Sequence, residues 1–514
     1  MISPVAPSTT SDRRAPLPLF AALPLALGSG AVSVLGFAPF GLFPAPVLAL
    51  AIWYQTLVGR DRGGAFAVGW AFGLGLLGLG VYWIRISLNE FGNMSVPLAN
   101  TLMVLFVAAM ALYYGIAGLL VRVIEPRADD RRAWVGPLLV LPAVWVLLEW
   151  LRGWLFTGFP WLVLGNSQID SPLGGLAPVV GVLGVSLGVA LSAGLIWIWL
   201  MRPRLGRLRI AGALLSLWLA AYLLGTWQWT RPAGAPMRAT VVQANIEQSL
   251  KWDPDGLMPT IQAHLELTRD ALGSDLIVWP ETAIPEFLHG VETALVTPLS
   301  NDARRAGSEV VIGIPIMESS ERYYNGLLSI GSARDTYYKR HLVPFGEYLP
   351  FKAQLGPLID WFEVPMSDFT PGAAERPLLQ VGPHQVGVSI CYEDIFPEEV
   401  RQSMPEAAYL INVSNDGWFG ESWAAAQHLE FSRMRALENG RFLVRATNTG
   451  ISAIIDNEGR VLDTVPLFTR DTLTGELQPR EGMTPFSRWG HWPVLGLTVL
   501  MLAIALLLRR QRPG

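Results

Sequence analysis

One cysteine, Cys391, occurs among 514 residues, which excludes an internal disulfide framework. The six histidines show no metal-ligand spacing, and no glycine-rich phosphate loop or solenoid period is present, so the sequence implies neither a metal, a cofactor nor a repeat architecture. Charge is scarce as well: Asp, Glu, Lys and Arg make up 16% of the chain, with a net charge of −4, and this balance implies no nucleic-acid partner. Apolar residues are abundant. The chain is 51% hydrophobic with 20 Trp and 51 Gly, and a mean hydropathy of +0.36 is too high for a soluble protein and points to several membrane spans.

Seven apolar runs long enough to cross a bilayer lie in the first 230 residues, at roughly Leu17 to Gly36, Pro44 to Val58, Gly64 to Ile84, Val96 to Val121, Ala133 to Leu151, Pro172 to Met201 and Ile210 to Trp227. An eighth runs from Pro493 to Leu508. Arg13 and Arg14 before the first run give it the look of a signal peptide, but further spans follow at once and it reads as retained. Arginine is unevenly shared between the short loops. One side carries Arg60, Arg62, Arg122, Arg127, Arg202, Arg207 and the terminal Arg509 and Arg510, whereas the other has only Arg85 and Arg152. Positive residues stay inside. Both termini are therefore expected in the cytoplasm of a bacterium-like cell, with residues 231–490 in the periplasm, where an unpaired thiol is chemically available. The domain reading is 1–230 for the membrane part, 231–490 for an outer catalytic domain and 491–514 for a last span and short tail.

That outer segment has the rhythm of an α/β domain. Strands are predicted at Ala239 to Ile246, Leu276 to Trp279, Val310 to Ile316, Gly326 to Ile330, Val386 to Cys391, Ala408 to Val413, Phe442 to Ala446 and Ser452 to Ile455, and helices at Met258 to Leu272, Glu292 to Ala306 and Ala424 to Glu438. Such alternation implies a layered sheet covered by helices.

Three polar residues sit where predicted strands end: Glu281 in WPETAIP, Lys339 in YYKRHLVPFGEYLPF, and Cys391 in VGVSICYEDIFPE. Strand ends are where an α/β sheet builds ligand sites. A thiol needs a base to become a nucleophile, and acyl transfer through it needs a cation facing the oxyanion. Glu, Lys and Cys can supply these roles, and the acidic Glu393 and Asp394 beside Cys391 are unusual company for a core thiol. Each residue also has a plainer reading: a buried apolar cysteine, a turn cap after Pro280, and a solvated pair of Lys339 with Arg340. Spacing alone leaves both open.

Longer signatures go further. WPET, KRHLVPFGEYLP, CYEDIFP, NVSNDGWFGES and QHLEFSRMRALENGRFLVRATNTGISAIID, in that order, resemble the membrane-bound branch of the nitrilase, or carbon-nitrogen hydrolase, superfamily, and within it the apolipoprotein N-acyltransferase family. The layout of seven spans, an outer domain and a final span fits as well. Ala425 and Ser432 depart from the family pattern, away from the proposed chemistry. The resemblance implies an αββα outer domain in which Cys391 is the nucleophile, Glu281 the general base and Lys339 the oxyanion partner. Glu347, Glu393 and Tyr392 would be supporting residues. Trp252, Asn325, Trp418 and Phe419 would meet substrate, and no cofactor is needed. It further implies ping-pong transfer of a fatty acyl chain from a phospholipid, phosphatidylethanolamine above all, through a Cys391 thioester to the amine of an apolipoprotein's diacylglyceryl-cysteine. The apolar run Tyr348 to Phe369, together with Trp418, Phe419 and Trp423, would be a mobile lid dipping into the bilayer. A membrane-tethered amidase would use the same three residues. A transporter or receptor is the other class, although apart from Glu149 and Glu90 the runs before Arg231 offer few ionisable groups.

Overall fold

The computed structural model describes residues 16–126, 132–251, 253–319, 322–348, 368–373 and 376–510. Seven helices stand at the expected N-terminal positions: α1 (Leu19–Ser33), α2 (Pro44–Leu57), α3 (Arg62–Gly80), α4 (Val96–Ile124), α5 (Leu141–Arg152), α6 (Ala177–Met201) and α7 (Arg207–Gly225). Close approach is built in by glycine. A Cβ on Gly30 of α1 would lie 2.1 Å from the Phe72 carbonyl oxygen, and one on Gly75 of α3 would lie 2.0 Å from that of Leu27, so these two backbones meet without side chains between them.

Among the described residues, six helical stretches are long and apolar enough to cross a membrane, at Leu19–Gly36, Arg62–Gly80, Val96–Ile124, Pro172–Met201, Arg207–Gly225 and Trp492–Arg510. The other two expected spans form helices but fall short by length. The 14 residues of α2 reach about 21 Å, and the 12 of α5 with the five-residue π turn before it about 26 Å, against roughly 30 Å of hydrocarbon. The count of eight spans is thus matched in position and not in length.

The α/β part contains strands β1 (Arg231–Pro232), β2 (Met237–Gln243), β3 (Leu276–Val278), β4 (Glu309–Ser319), β5 (Arg322–Ile330), β6 (Asp335–Tyr338), β7 (Leu378–Val381), β8 (His384–Ile390), β9 (Leu410–Ser414), β10 (Leu443–Thr447), β11 (Ser452–Ile455), β12 (Val461–Val465), β13 (Asp471–Leu477) and β14 (Arg480–Glu481). They form two six-stranded sheets, ordered β13-β2-β3-β4-β5-β6 and β12-β11-β10-β9-β8-β7, with β1 and β14 as a separate pair. Period-two alternation sorts their side chains into layers. Ala239, Val241, Val278, Val388, Ile390, Ile411, Val413 and Val444 form one core between the sheets. On the far side of the first sheet, Val242, Ile277, Val310 and Ile312 pack under helices α8 (Leu257–Ala271) and α9 (Thr297–Ala306). On the far side of the second, Leu410, Leu443 and Ile455 pack with Ala436 of α10 (Ala424–Asn439). This is the expected αββα arrangement.

The other face of α10 joins the helical bundle, where Ala424, Phe431, Met434 and Leu437 share a core with α1 to α7. Polar links accompany it. Trp161 donates to Gln427 at 2.7 Å, the Val182 amide to Glu438 at 2.7 Å, and Ser87 to the Trp418 carbonyl at 2.7 Å. The α/β part is therefore seated on the helical part through a packed interface.

Candidate active site

Each of the three candidate residues lies just past a strand: Lys339 directly after β6, Cys391 directly after β8, and Glu281 three residues beyond the end of β3. The two sheets bring these ends together. Cys391 opens a short 3-10 turn with φ +50°, and Thr282, after Glu281, has φ +46°. Non-glycine residues at such angles are strained by about 1–3 kcal/mol each and persist where the surroundings over-determine them. The turn at Glu281 also lies tight against β4, where a Cβ on Gly313 would stand 2.1 Å from the Pro280 carbonyl oxygen. Only glycine lets β4 pass that close to the turn.

Glu281 is 7% exposed and fully engaged. Its Oε1 accepts from Asn325 Nδ2 at 2.7 Å and from Lys339 Nζ at 3.3 Å, and its Oε2 accepts from the Asn415 amide at 2.9 Å. Lys339, 1% exposed, also meets Glu347 at 2.9 Å. Glu347 receives a further bond from the Val343 amide at 2.8 Å, which closes its own loop. Burial disfavours the Lys339 ammonium, but Glu347 and Glu281 outweigh it and hold the lysine above its ordinary range, firmly charged. Burial, then Glu281, push the Cys391 thiol well up, against the pull of Lys339 and a hydrogen bond with Ser414. The thiol is therefore protonated at rest and needs a base beside it to become a nucleophile.

The supporting residues differ in what they do. Glu393, 2% exposed, accepts from the amides of Ile390 at 2.8 Å, Arg340 at 2.7 Å and His341 at 3.2 Å, and from Tyr337 Oη at 2.9 Å. It ties the Lys339 loop to the end of the cysteine strand. Tyr392 reaches the other way and donates to the Gly158 carbonyl at 2.9 Å in the loop after α5. Asn325, 3% exposed, divides its amide nitrogen between Glu281 and Glu347, at 2.7 and 2.9 Å, so it belongs to the carboxylate cluster. Trp418 and Phe419 are half-buried and packed on rings of the helical part, Phe91 at 5.4 Å and Trp83 at 4.7 Å between centroids. Trp423 likewise meets Phe40 and Tyr82. These three rings pack against the segments that follow α1 and α3. Trp252 and residues 349–367 of the expected lid lie outside the described residues.

Three features escaped sequence reasoning. Lys251, 3% exposed, donates to the Glu281 carbonyl at 3.1 Å. Asn415 supplies the backbone donor to Glu281. Behind Cys391 lies a buried network in which His428 bridges Asp416 at 2.8 Å and Asp394 at 2.9 Å, and Arg445 joins both aspartates. Burial and Arg445 disfavour the imidazolium, but the two aspartates prevail and raise His428 to about 9. A histidine in a QH pair gave only a weak signal, because its partners lie 12 and 34 residues away.

Beside this site lies a cavity of about 730 Å³, walled by Trp150, Trp154, Val182 and Leu183 of the helical part and by His341, Leu342, Phe369 and Phe396 of the α/β part. Phe396 packs edge-on against Tyr392, next to the thiol, at 5.1 Å.

An αββα fold with Glu, Lys and Cys converging at its strand ends defines a carbon-nitrogen hydrolase type of domain, and the family model described as carbon-nitrogen hydrolase matches residues 238–483. A second model, described as the apolipoprotein N-acyltransferase N-terminal domain, matches residues 29–195. Curated relatives named apolipoprotein N-acyltransferase include proteins of Methylococcus capsulatus, 44% identical over 95% of this chain and 97% of the relative, and of Azotobacter vinelandii, 42% identical over 95% of both. Another, from Pseudomonas aeruginosa, is 40% identical over 95% of this chain and 96% of the relative. The chain belongs to the apolipoprotein N-acyltransferase family.

Proposed function

We propose that this protein is a phospholipid-dependent N-acyltransferase that completes lipoprotein maturation through a thioester on Cys391. In the first half-reaction Glu281 takes the thiol proton, and the thiolate attacks an ester carbonyl of a phospholipid, with phosphatidylethanolamine the expected donor and its sn-1 ester the expected bond. Negative charge on the tetrahedral oxygen is met by Lys339. The C–O bond then breaks, the departing glycerol oxygen takes the proton back from Glu281, and a lysophospholipid leaves. In the second half-reaction the amine of an apolipoprotein's diacylglyceryl-cysteine attacks the thioester. A C–N bond forms, the C–S bond breaks, and the amine proton passes by way of Glu281 to the leaving thiolate.

The observation that carries this reading is the position of Cys391 at the seam of the two parts, with Tyr392 bonded to the loop after α5 and Phe396 walling an apolar cavity beside membrane helices. Both substrates carry lipid chains, and the mainly apolar cavity beside this thiol supports their entry from the bilayer. We assign residues 1–230 and 491–514 to the membrane and residues 231–490 to the periplasm, with both termini cytoplasmic, on the arginine asymmetry of the short loops.

The test is transfer itself. The purified full chain, reconstituted in phosphatidylethanolamine vesicles with a synthetic diacylglyceryl-cysteine peptide, is expected to raise the peptide's mass by one acyl group as an amide stable to hydroxylamine. Release of free fatty acid with no change in the peptide would replace this reading with a hydrolase.

A further inference from the structure

Lys251 lies on a short helical turn, Gln248–Lys251, that grips Glu281 from two sides. Its Nζ donates to the Glu281 carbonyl at 3.1 Å. From the same turn, Gln248 Oε1 accepts from Asn415 Nδ2 at 2.7 Å, and the Asn415 amide donates to Glu281 Oε2 at 2.9 Å. The held segment is the strained one, with Thr282 at φ +46°. An ammonium ion that is 3% exposed and makes one hydrogen bond to the described residues is an expensive group to keep in a site, unless its charge is used.

We propose that Lys251 is a positioning residue for the reaction, which anchors the main chain of Glu281 in its strained turn and turns a second positive charge toward Cys391. This rests on the assignment of Glu281 as the base. Three titratable groups interact with its charge from the surrounding elements: Glu281 on the turn after β3, Cys391 after β8, and His264 on α8. Burial lowers Lys251 to about 8, against the upward pull of Glu281 and Cys391. Burial also lowers His264 to about 4, so near neutral pH this imidazole is uncharged and Lys251 supplies the positive charge. By reciprocity, a cation that feels the thiolate also favours its formation. Lys339 and Lys251 thus divide the work: Lys339 bonds the Glu281 carboxylate and Lys251 the backbone that carries it.

Cys391 is the only cysteine in the chain, so alkylation by iodoacetamide, followed by intact mass, reads the thiolate at this one position. In the full-length protein, Lys251→Met is expected to slow alkylation between pH 6 and 8 roughly tenfold, the equivalent of about one pKa unit. It is expected to lower kcat for acyl transfer by a similar factor with little change in KM for phospholipid, and Lys251→Arg is expected to restore both in part. Lys251→Gln keeps a donor without the charge and carries the test if the Met variant does not fold; its alkylation is expected to slow as well. Wild-type alkylation rates in both neutral variants, or a loss of kcat with an unchanged alkylation profile, would overturn the proposal and leave Lys251 a packing residue. Failure of the base assignment would show separately, as full activity in Glu281→Gln.

Discussion

Lys339→Met removes the charge at the centre of the cluster while keeping most of the side-chain volume. In the wild type the ammonium lies 3.3 Å from Glu281 and 2.9 Å from Glu347, with all three side chains largely closed to water. At an effective dielectric of 20, an ion pair at about 3 Å is attractive by about 5 kcal/mol before desolvation is counted. Removing one member of a buried pair typically costs about 3–5 kcal/mol, because the partner stays buried without compensation. Here two carboxylates are left facing one another across Asn325, and the variant relieves this by binding a proton, with the base itself one of the two acceptors. The thermal midpoint is therefore expected to fall on the order of 10 °C. Acyl-enzyme formation at pH 7 is expected to fall by about 10²-fold or more, with the remaining activity displaced to higher pH, where the base is free again. Both are read on one preparation, by thermal scanning in detergent and by intact mass against time at pH 6, 7, 8 and 9. A midpoint within about 1 °C of wild type, or a residual pH profile that coincides with wild type, would refute the electrostatic account of this cluster.

Glu281→Gln keeps the shape of the base and removes its proton affinity, so acyl-enzyme formation is expected to fall about 10²- to 10⁴-fold while the thermal midpoint moves far less. A folded variant that forms the thioester at wild-type rate would end the base assignment. Glu393→Ala strips the acceptor from one buried and two part-buried amides and is expected to cost about 3 kcal/mol and to loosen the Lys339 loop, whereas Glu393→Gln should recover much of the stability. Equal midpoints for Ala and wild type would contradict the tie. His428 is raised in the folded state to about 9 from an ordinary 6.5, so its contribution of about 3 kcal/mol is complete below about pH 6.5 and is lost as pH rises through 9. The stability difference between wild type and His428→Gln is expected to shrink across that window, and parallel curves would show that the network does not hold an imidazolium.

The eight predicted strands are all present because each is a run of β-branched and apolar residues buried on at least one face. Strands that sequence reading passed over are polar or very short: Asp335–Tyr338, Val461–Val465 and Asp471–Leu477 lie toward sheet edges, where one side meets solvent and alternation is diluted. Glu281, Lys339 and Cys391 were legible as strand-end residues and through the order of their motifs, but their meeting depends on two sheets packing face to face, which no local pattern encodes. Lys251 was hidden because a lysine in QSLKWD looks like the polar side of an exposed turn. Glu393 and Asp394 drew notice as neighbours of a reactive thiol. Their physical role is different, since Glu393 binds three amides and Asp394 is taken up by His428, Ser432 and Arg445.

The central claim is that a fatty acyl chain passes through Cys391, and the chain's single thiol makes the measurement direct. Purified full-length protein is mixed with phosphatidylethanolamine and no acceptor, quenched in acid and weighed intact. The account predicts a mass increase of one fatty acyl group, released by hydroxylamine, absent in Cys391→Ala and discharged when the diacylglyceryl-cysteine peptide is added. Acylation of the peptide by wild-type protein with no adduct trapped at any time, or an adduct that persists in Cys391→Ala, would contradict it.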